Sequence, residues 1–287
     1  MMYQSVFFRM SYWNGGKKMP VQSGTHVIHI VLPGESLSYL ANRYDSDPAI
    51  MTQVNALYPP FTEAQMIMVN QALLIPVRNA YQAKTLYVIS TGDTIWSIAS
   101  RYATSPELLA GINDNIQNPG FIYPNQQIII PAYIYQVETN DSIVSISSRS
   151  GIAIQQIILA NSNRASFSPD LIREGYRLII PLPSSTNIVV TSPFPGTTVQ
   201  NNQRLTGYAR AYEATVLYRL YDSNGVEVIR DTGTMTAYGA PAYSSFEDNL
   251  LFDQSPTSSE GILEVYTRSA MDGSVQDLVQ VKLILDQ

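Results

Sequence analysis

Residues Ser90 to Tyr102 read STGDTIWSIASRY, a polar turn followed by a run with helical periodicity. Ile95, Ile98, Ala99 and Tyr102 stand at i, i+3, i+4 and i+7, which is one face of a helix. Approximate copies occur at residues 32–44 (LPGESLSYLANRY) and 138–150 (ETNDSIVSISSRS). Aligning the turns places Gly34, Gly92 and Asn140 in register. An acid follows in each copy (Glu35, Asp93, Asp141), then a hydroxyl (Ser36, Thr94, Ser142). Nine residues past the turn stands Arg43, Arg101 or Arg149, and twenty-one past it Asn55, Asn113 or Asn161. Each copy closes with an apolar run into proline: LLIP at 73–76, IIIP at 128–131 and LIIP at 178–181. So many matches at fixed offsets establish a threefold internal repeat.

Each unit opens with a short apolar strand, and the acid and hydroxyl of its turn are both natural helix caps. Leu37, Leu40, Ala41 and Tyr44 form the buried face of the first helix in copy one. In copy three Ile143 and Ile146 persist, but Ser147 and Ser150 replace the rest and predict looser packing. Ser105-Pro106-Glu107 and Asp47-Pro48 start a second helix, with proline at its first position. The unit is therefore strand–helix–helix–strand, with its two strands free to pair antiparallel.

The chain has 287 residues, of which 45% are hydrophobic and 14% charged, and it contains no cysteine. Disulfides, thiolate metal sites and cysteine nucleophiles are excluded. His26 and His29 are the only histidines, and HVIHIV reads as a strand, which sends them to opposite faces. No metal or cofactor is expected. Residues 1–183 carry eleven basic and eleven acidic residues, and 184–287 carry six and twelve. With no basic stripe, nucleic-acid binding is not expected. No window approaches a membrane span. The first 24 residues read as a flexible tail without an export signal.

Past residue 183 the period changes to two. Val216, Tyr218 and Leu220 alternate with Leu217, Arg219 and Tyr221 before Asn224-Gly225; Leu263, Val265 and Thr267 alternate similarly before Asp272-Gly273. Val279, Val281, Leu283 and Leu285 repeat the pattern. Short alternating strands with turn signals predict a β-sandwich. The stretch SSFEDNLLFDQSPTSSEG reads as loop.

The motif G-D-T-I-W-x-I-A-x-R-Y, the central asparagine and the closing I-x-I-P resemble the LysM domain, a βααβ glycan-binding module. The run SPFPGTTVQN to LTGYARAYEATVLYRLYDSNG, with SAMDGS near the end, resembles the immunoglobulin-like domain of bacterial spore-germination proteins. Together they imply an α+β multidomain chain, three βααβ modules in tandem followed by an all-β sandwich. The expected boundaries are 25–77, 84–132 and 133–183 for the modules and 187–287 for the sandwich.

The LysM resemblance implies N-acetylglucosamine polymers, peptidoglycan above all, held between the first turn and the loop before the last strand. In copy two these walls are Gly92, Asp93, Thr94 and Ile95 against Gly120, Phe121, Ile122 and Tyr123. In copy one they are Gly34, Glu35, Ser36 and Leu37 against Tyr58 to Phe61. In copy three they are Asn140, Asp141, Ser142 and Ile143 against Pro169 to Ile172. The resemblance packs Trp96 beside its helix, and the arginines are expected to partner nearby acids. Repetition of a shallow groove suggests avidity for a polymer.

Glu247, Asp248 and Asp253 are glycosidase-type acids by residue type alone. The expectation is a non-catalytic envelope protein, its sandwich meeting another envelope protein, assembled around a spore from the mother cell. Two other readings stay open: a structural coat or surface-layer protein, and an accessory subunit of a cell-wall hydrolase. An ordinary cell-wall or extracellular location is the alternative to the spore.

Overall fold

The computed structural model describes residues 20–78, 80 and 83–286. Most of the expected tail lies outside these residues. Its described end is held in place: Gln22 N–H donates to Ile134 O (2.8 Å), and Val21 bridges Tyr135.

Each repeat folds as its pattern requires. Module 1 comprises β1 (His26–Ile30), α1 (Leu37–Arg43), α2 (Pro48–Val54) and β2 (Ala72–Pro76). Module 2 comprises β3 (Thr85–Val88), α3 (Ile95–Arg101), α4 (Pro106–Gly111) and β4 (Gln127–Ile129). Module 3 comprises β5 (Ala132–Gln136), α5 (Ile143–Ser150), α6 (Ile154–Ala160) and β6 (Arg177–Pro181). In every module the two strands pair antiparallel. The hydroxyls cap the first helices: Ser36, Thr94 and Ser142 accept from the N–H groups of Tyr39, Ser97 and Ser145.

The buried asparagines tie helix to strand. Asn55 Nδ2 donates to Met51 O and Leu74 O, and its Oδ1 accepts from Leu74 N–H (2.9 Å). Asn113 does the same with Leu109 and Ile129, and Asn161 with Ile157 and Ile179. A helix C-terminus and a strand would otherwise bury unpaired groups at this point.

Modules 1 and 2 are one body. β1 pairs parallel with β3, with His26 opposite Thr85, and makes a four-stranded sheet in the order β2-β1-β3-β4. Val27, Leu73, Ile75 and Val88 face the helices of module 1, where Leu37 and Leu40 pack. Ile28, Leu74, Tyr87 and Ile128 face the helices of module 2, where Ile95 and Ile98 pack. Strands covered on both faces carry continuous apolar runs instead of alternation, which is the form of HVIHI and LLIP.

Module 3 docks beside this sheet. Ala72 N–H donates to Asn163 O (2.8 Å) and Ala165 N–H to Ala72 O (3.4 Å). The buried Arg164 reaches Asn161, the Arg177 carbonyl and, across the seam, Asn55 Oδ1 (3.1 Å). Its guanidinium lies 4.7 Å from the Tyr176 ring centre, and burial lowers its pKa. The serines that replace apolar residues in copy three are hydrogen-bonded. Ser150 is buried with Oγ donating to Ile146 O (2.7 Å), and Ser147 Oγ donates to Ile152 O (2.7 Å). The polar replacements are satisfied by the backbone of their own helix and its exit.

The C-terminal region is a sandwich of two sheets. Its strands are β7 (Ile188–Ser192), β8 (Thr198–Val199), β9 (Gln203–Ala209), β10 (Thr215–Asp222), β11 (Glu227–Met235), β12 (Ser244–Leu250), β13 (Glu260–Arg268) and β14 (Val275–Leu285). Their orders are β11-β10-β13-β14-β8 and β12-β9-β7. The alternating residues of β10, β13 and β14 enter one core with Val190, Leu205 and Phe246. A Cβ on Gly207 would stand 2.3 Å from both Val189 O and the Phe246 ring, so only glycine fits there. The segment Ser244–Leu250 is strand, not loop: Phe246 and Leu250 turn inward between polar residues, a pattern too sparse in apolar positions to announce itself.

The sandwich is seated on the modules. Phe194 stacks on Tyr133 (5.1 Å between centroids), and Tyr243 Oη donates to Thr186 O (2.7 Å). Lys282 Nζ donates to Ser148 O on α5 (3.2 Å).

Candidate functional site

The acid of each turn is not the helix cap. Asp93 Oδ2 accepts from Ser90 N–H (2.7 Å) and Tyr87 Oη (2.8 Å). Asp141 Oδ2 accepts from Glu138 N–H (2.9 Å) and Tyr135 Oη (2.5 Å). In module 1, Glu35 Oε2 accepts from Leu32 N–H (2.8 Å) and meets His29 Nε2 at 2.6 Å. The carboxylate thus folds the turn back onto its own strand, and the hydroxyl one residue later is left to cap the helix. Burial pushes the Tyr87 and Tyr135 hydroxyls up in pKa, and the adjacent aspartates add to this. Arg43 and Arg149 pair with the acids, at 3.4 Å to Glu35 and 2.5 Å to Asp141. Arg101 lies against Tyr102 instead.

The pinned turns share a shape. Gly34 and Gly92 sit at φ +84° and +91°, and Asn140 at +67°, a region that asparagine tolerates better than most residues. The Cβ positions at Gly34 and Gly92 face open space.

The opposite wall follows from hydrogen-bond register. Ile89 N–H donates to Gln126 O and Asn125 N–H to Ile89 O, so the ladder ends there and the two chains diverge. The same pair of bonds joins Val31 with Gln71 and Asn70, and Val137 with Tyr176 and Gly175. By this register Gly120–Tyr123 matches Asp170–Arg173 in module 3 and Gln65–Met68 in module 1. A turn precedes each: Phe121, Leu171 and Met66 donate from N–H to Asn118, Ser168 and Glu63 carbonyls.

By register, the segment of module 1 equivalent to Gly120–Tyr123 is thus Gln65–Met68, and Tyr58–Phe61 lies earlier in the loop. Tyr58 and Phe61 pack edge to face, and the Arg173 guanidinium of module 3 lies 3.8 Å from the Phe61 ring centre. The signal was present in the Asn-Gln pair that precedes both closing strands, Asn70-Gln71 and Asn125-Gln126. It was hidden by the longer loop of copy one.

Leu37, Ile95 and Ile143 are buried, backbone included, and belong to the module cores. Gly34, Ser36, Gly92, Thr94 and Ser142 are exposed, whereas Glu35, Asp93 and Asp141 are half-buried by their turn bonds. On the other wall Phe121 and Tyr123 are each 66% exposed, with Ile122 tucked partly beneath them. Met66 and Met68 hold the equivalent places in module 1 and Leu171 in module 3, all exposed. Trp96, in the first turn of α3, is 59% exposed. Side chains of this size left in water beside open backbone are the makings of a binding surface.

The acids considered for catalysis have other duties. Glu247 pairs with Arg204 (2.6 Å), Asp248 accepts from Tyr218 Oη (3.1 Å) and Asp253 from Arg230 N–H (2.9 Å). Glu247 and Asp248 are also neighbours on one strand and project to opposite faces. Among the described residues, no His, Asp and Glu side chains gather to hold a metal, and no helix is long and apolar enough to cross a membrane.

The LysM domain model matches residues 29–76, 87–131 and 135–181. The model for the immunoglobulin-like domain of bacterial spore germination matches 187–274. A Bacillus subtilis protein named as a sporulation-specific glycosylase is 27% identical over 96 residues, 33% of this chain and 22% of that protein. An N-acetylmuramoyl-L-alanine amidase of Staphylococcus aureus is 26% identical over 219 residues, 64% of this chain and 62% of the amidase. The solved spore cortex-lytic enzyme of Bacillus cereus is 27% identical over 37% of this chain and 22% of its own, with a TM-score of 0.28. The chain thus spans less than two thirds of each relative.

Proposed function

From a chain that contains three LysM domains and one immunoglobulin-like domain of the spore-germination type, we infer a non-catalytic binder of peptidoglycan glycan. One observation carries this: the same hydrogen-bond frame recurs three times, each with an exposed apolar residue (Met66, Phe121, Leu171) across from a pinned turn. Open backbone donors and acceptors in the turn suit an N-acetyl group, and the apolar wall suits its methyl and the sugar's C–H face. Gly34, Ser36, Gly92, Thr94 and Ser142 would meet the ligand directly. Glu35, Asp93 and Asp141 would hold the turns, and Gly120 to Tyr123 would line the far side in module 2.

The matched domain models are of binding and immunoglobulin-like types, which supports a role without catalysis. The named relatives are cell-wall enzymes matched over part of their length, so a second reading is an accessory partner of such an enzyme. In either case the sandwich would meet another component of the cell wall or spore envelope.

Cosedimentation with purified peptidoglycan and with chitin tests the reading. The triple variant Met66→Ala, Phe121→Ala, Leu171→Ala is expected to lose at least about tenfold in affinity, some 1.4 kcal/mol. Unchanged binding by that variant sinks the groove assignment. Clearing of cell-wall substrate in a gel by the purified chain would overturn the non-catalytic reading.

A further inference from the structure

The pairing of β1 with β3 decides where two of the grooves point. Because these strands run parallel, the turns that follow them leave the same end of the shared sheet, from strands about 4.8 Å apart. The helices of module 1 cover one face of that sheet and those of module 2 the other. Each groove lies between its turn and the loop entering its own closing strand, on the side of its own helices. With β2 and β4 outermost, the two grooves are related by a half-turn about the strand direction. They share an end and occupy opposite faces.

No hinge separates them. Val88 of module 2 packs into the core of module 1, and Ile28 and Leu74 of module 1 into that of module 2. Arg43 Nη2 donates to Asn125 Oδ1 (2.9 Å), tying α1 to the far groove loop. A chain entering both grooves would have to round the end of the sheet over both turns and this bond. An extended β-linked polysaccharide is too stiff to turn so sharply.

We propose that modules 1 and 2 form a rigid two-faced clamp that takes two separate glycan strands, one on each face, and so bridges neighbouring chains. The proposal rests on the groove reading above and replaces the expectation of avidity on a single strand. Linkage enhances affinity only where geometry allows both sites to engage one ligand.

The test uses the full chain carrying Leu171→Ala, to silence the third groove, with two probes. One is a short N-acetylglucosamine oligomer that fills a single groove; the other is long, soluble, peptide-free glycan strands. Calorimetry is expected to give a per-groove affinity for long strands within about threefold of the oligomer, without the ~10²–10⁴ gain of avidity. Light scattering is expected to rise with added strands and fall in their excess. Met66→Ala with Met68→Ala, or Phe121→Ala with Tyr123→Ala, should each abolish the scattering while the untouched groove still binds oligomer. Discrete one-to-one complexes with a hundredfold affinity gain would overturn the clamp and leave the grooves intact. Failure to bind the oligomer at all would instead overturn the groove reading, and the clamp with it.

Discussion

The Arg43 guanidinium of the first module holds the Asn125 side chain of the second at 2.9 Å, while its other nitrogen faces Glu35 at 3.4 Å. Glu35 pins the turn of one groove, and Asn125 stands at φ +69° where the loop of the other meets its ladder. One side chain therefore touches both proposed grooves. Arg43→Ala should weaken oligomer binding in module 2 by about three- to tenfold, on the order of 1 kcal/mol, the typical net worth of one hydrogen bond. Calorimetry in the Met66→Ala, Met68→Ala, Leu171→Ala background reads that groove alone. An unchanged affinity there would show that Asn125 needs no such support.

The three asparagines should differ in cost. Each makes three bonds to buried backbone, and replacement by leucine leaves those groups unpaired, at roughly 2–4 kcal/mol. The Asn113 side chain makes no further hydrogen bond among the described residues, whereas the Asn55 and Asn161 side chains also accept from the buried Arg164. Asn55→Leu and Asn161→Leu should therefore destabilise more than Asn113→Leu by about 1–3 kcal/mol, because a buried cation loses an acceptor. Denaturant titration measures the order. Equal losses at all three sites would deny Arg164 its part in the seam.

The repeat, the element order and the hydroxyl caps were legible because each rests on local chemistry at fixed spacing. The alternation of β10, β13 and β14 was legible for the same reason. What escaped was long-range. That β1 lies beside β3 depends on residues 59 apart, although the unbroken apolar runs already hinted at strands covered on both faces. The task of the turn acids was hidden because their partner changes, from His29 in one module to Tyr87 and Tyr135 in the others. In the candidate site, the exposed aromatics of the module 2 loop, Phe121 and Tyr123, were already singled out by resemblance. Met66 and Met68 were not, since a longer loop shifted the register and methionine looks like core.

Gly111, at the end of α4, should be intolerant of any side chain. A Cβ there would fall 1.9 Å from the Tyr243 ring, which also lies 4.9 Å from the Arg210 guanidinium. Gly111→Ala should therefore lever Tyr243 off the second module and loosen the sandwich. Limited proteolysis between residues 183 and 187 is expected to quicken several-fold in G111A. Far-UV circular dichroism should stay unchanged. Equal cleavage rates would show that Tyr243 rides on the modules without holding them.

Acid should unseat module 1 from module 3. His26 Nε2 accepts from Arg177 Nη1 (3.1 Å), and its Nδ1 faces Gly24 O (3.3 Å), an arrangement that only the neutral ring with its proton on Nδ1 can satisfy. Burial, then Arg177 and more distantly Arg164, bring its pKa from 6.5 to about 3, against a smaller opposing pull from Gly24 O. His29 is lowered too: burial outweighs Glu35, Arg43 adds to the lowering, and Tyr44 Oη lies 2.9 Å from its Nδ1. Between pH 6.5 and 3 the unfolded chain binds a proton at His26 that the folded chain refuses, so stability falls as pH falls. The slope is bounded by about 1.4 kcal/mol per pH unit for each histidine. His26→Gln keeps an acceptor for Arg177 but does not titrate, and it should flatten the decline measured by denaturant midpoints from pH 7 to 4. If the variant and the parent lose stability in parallel, the seam does not sense protons through His26.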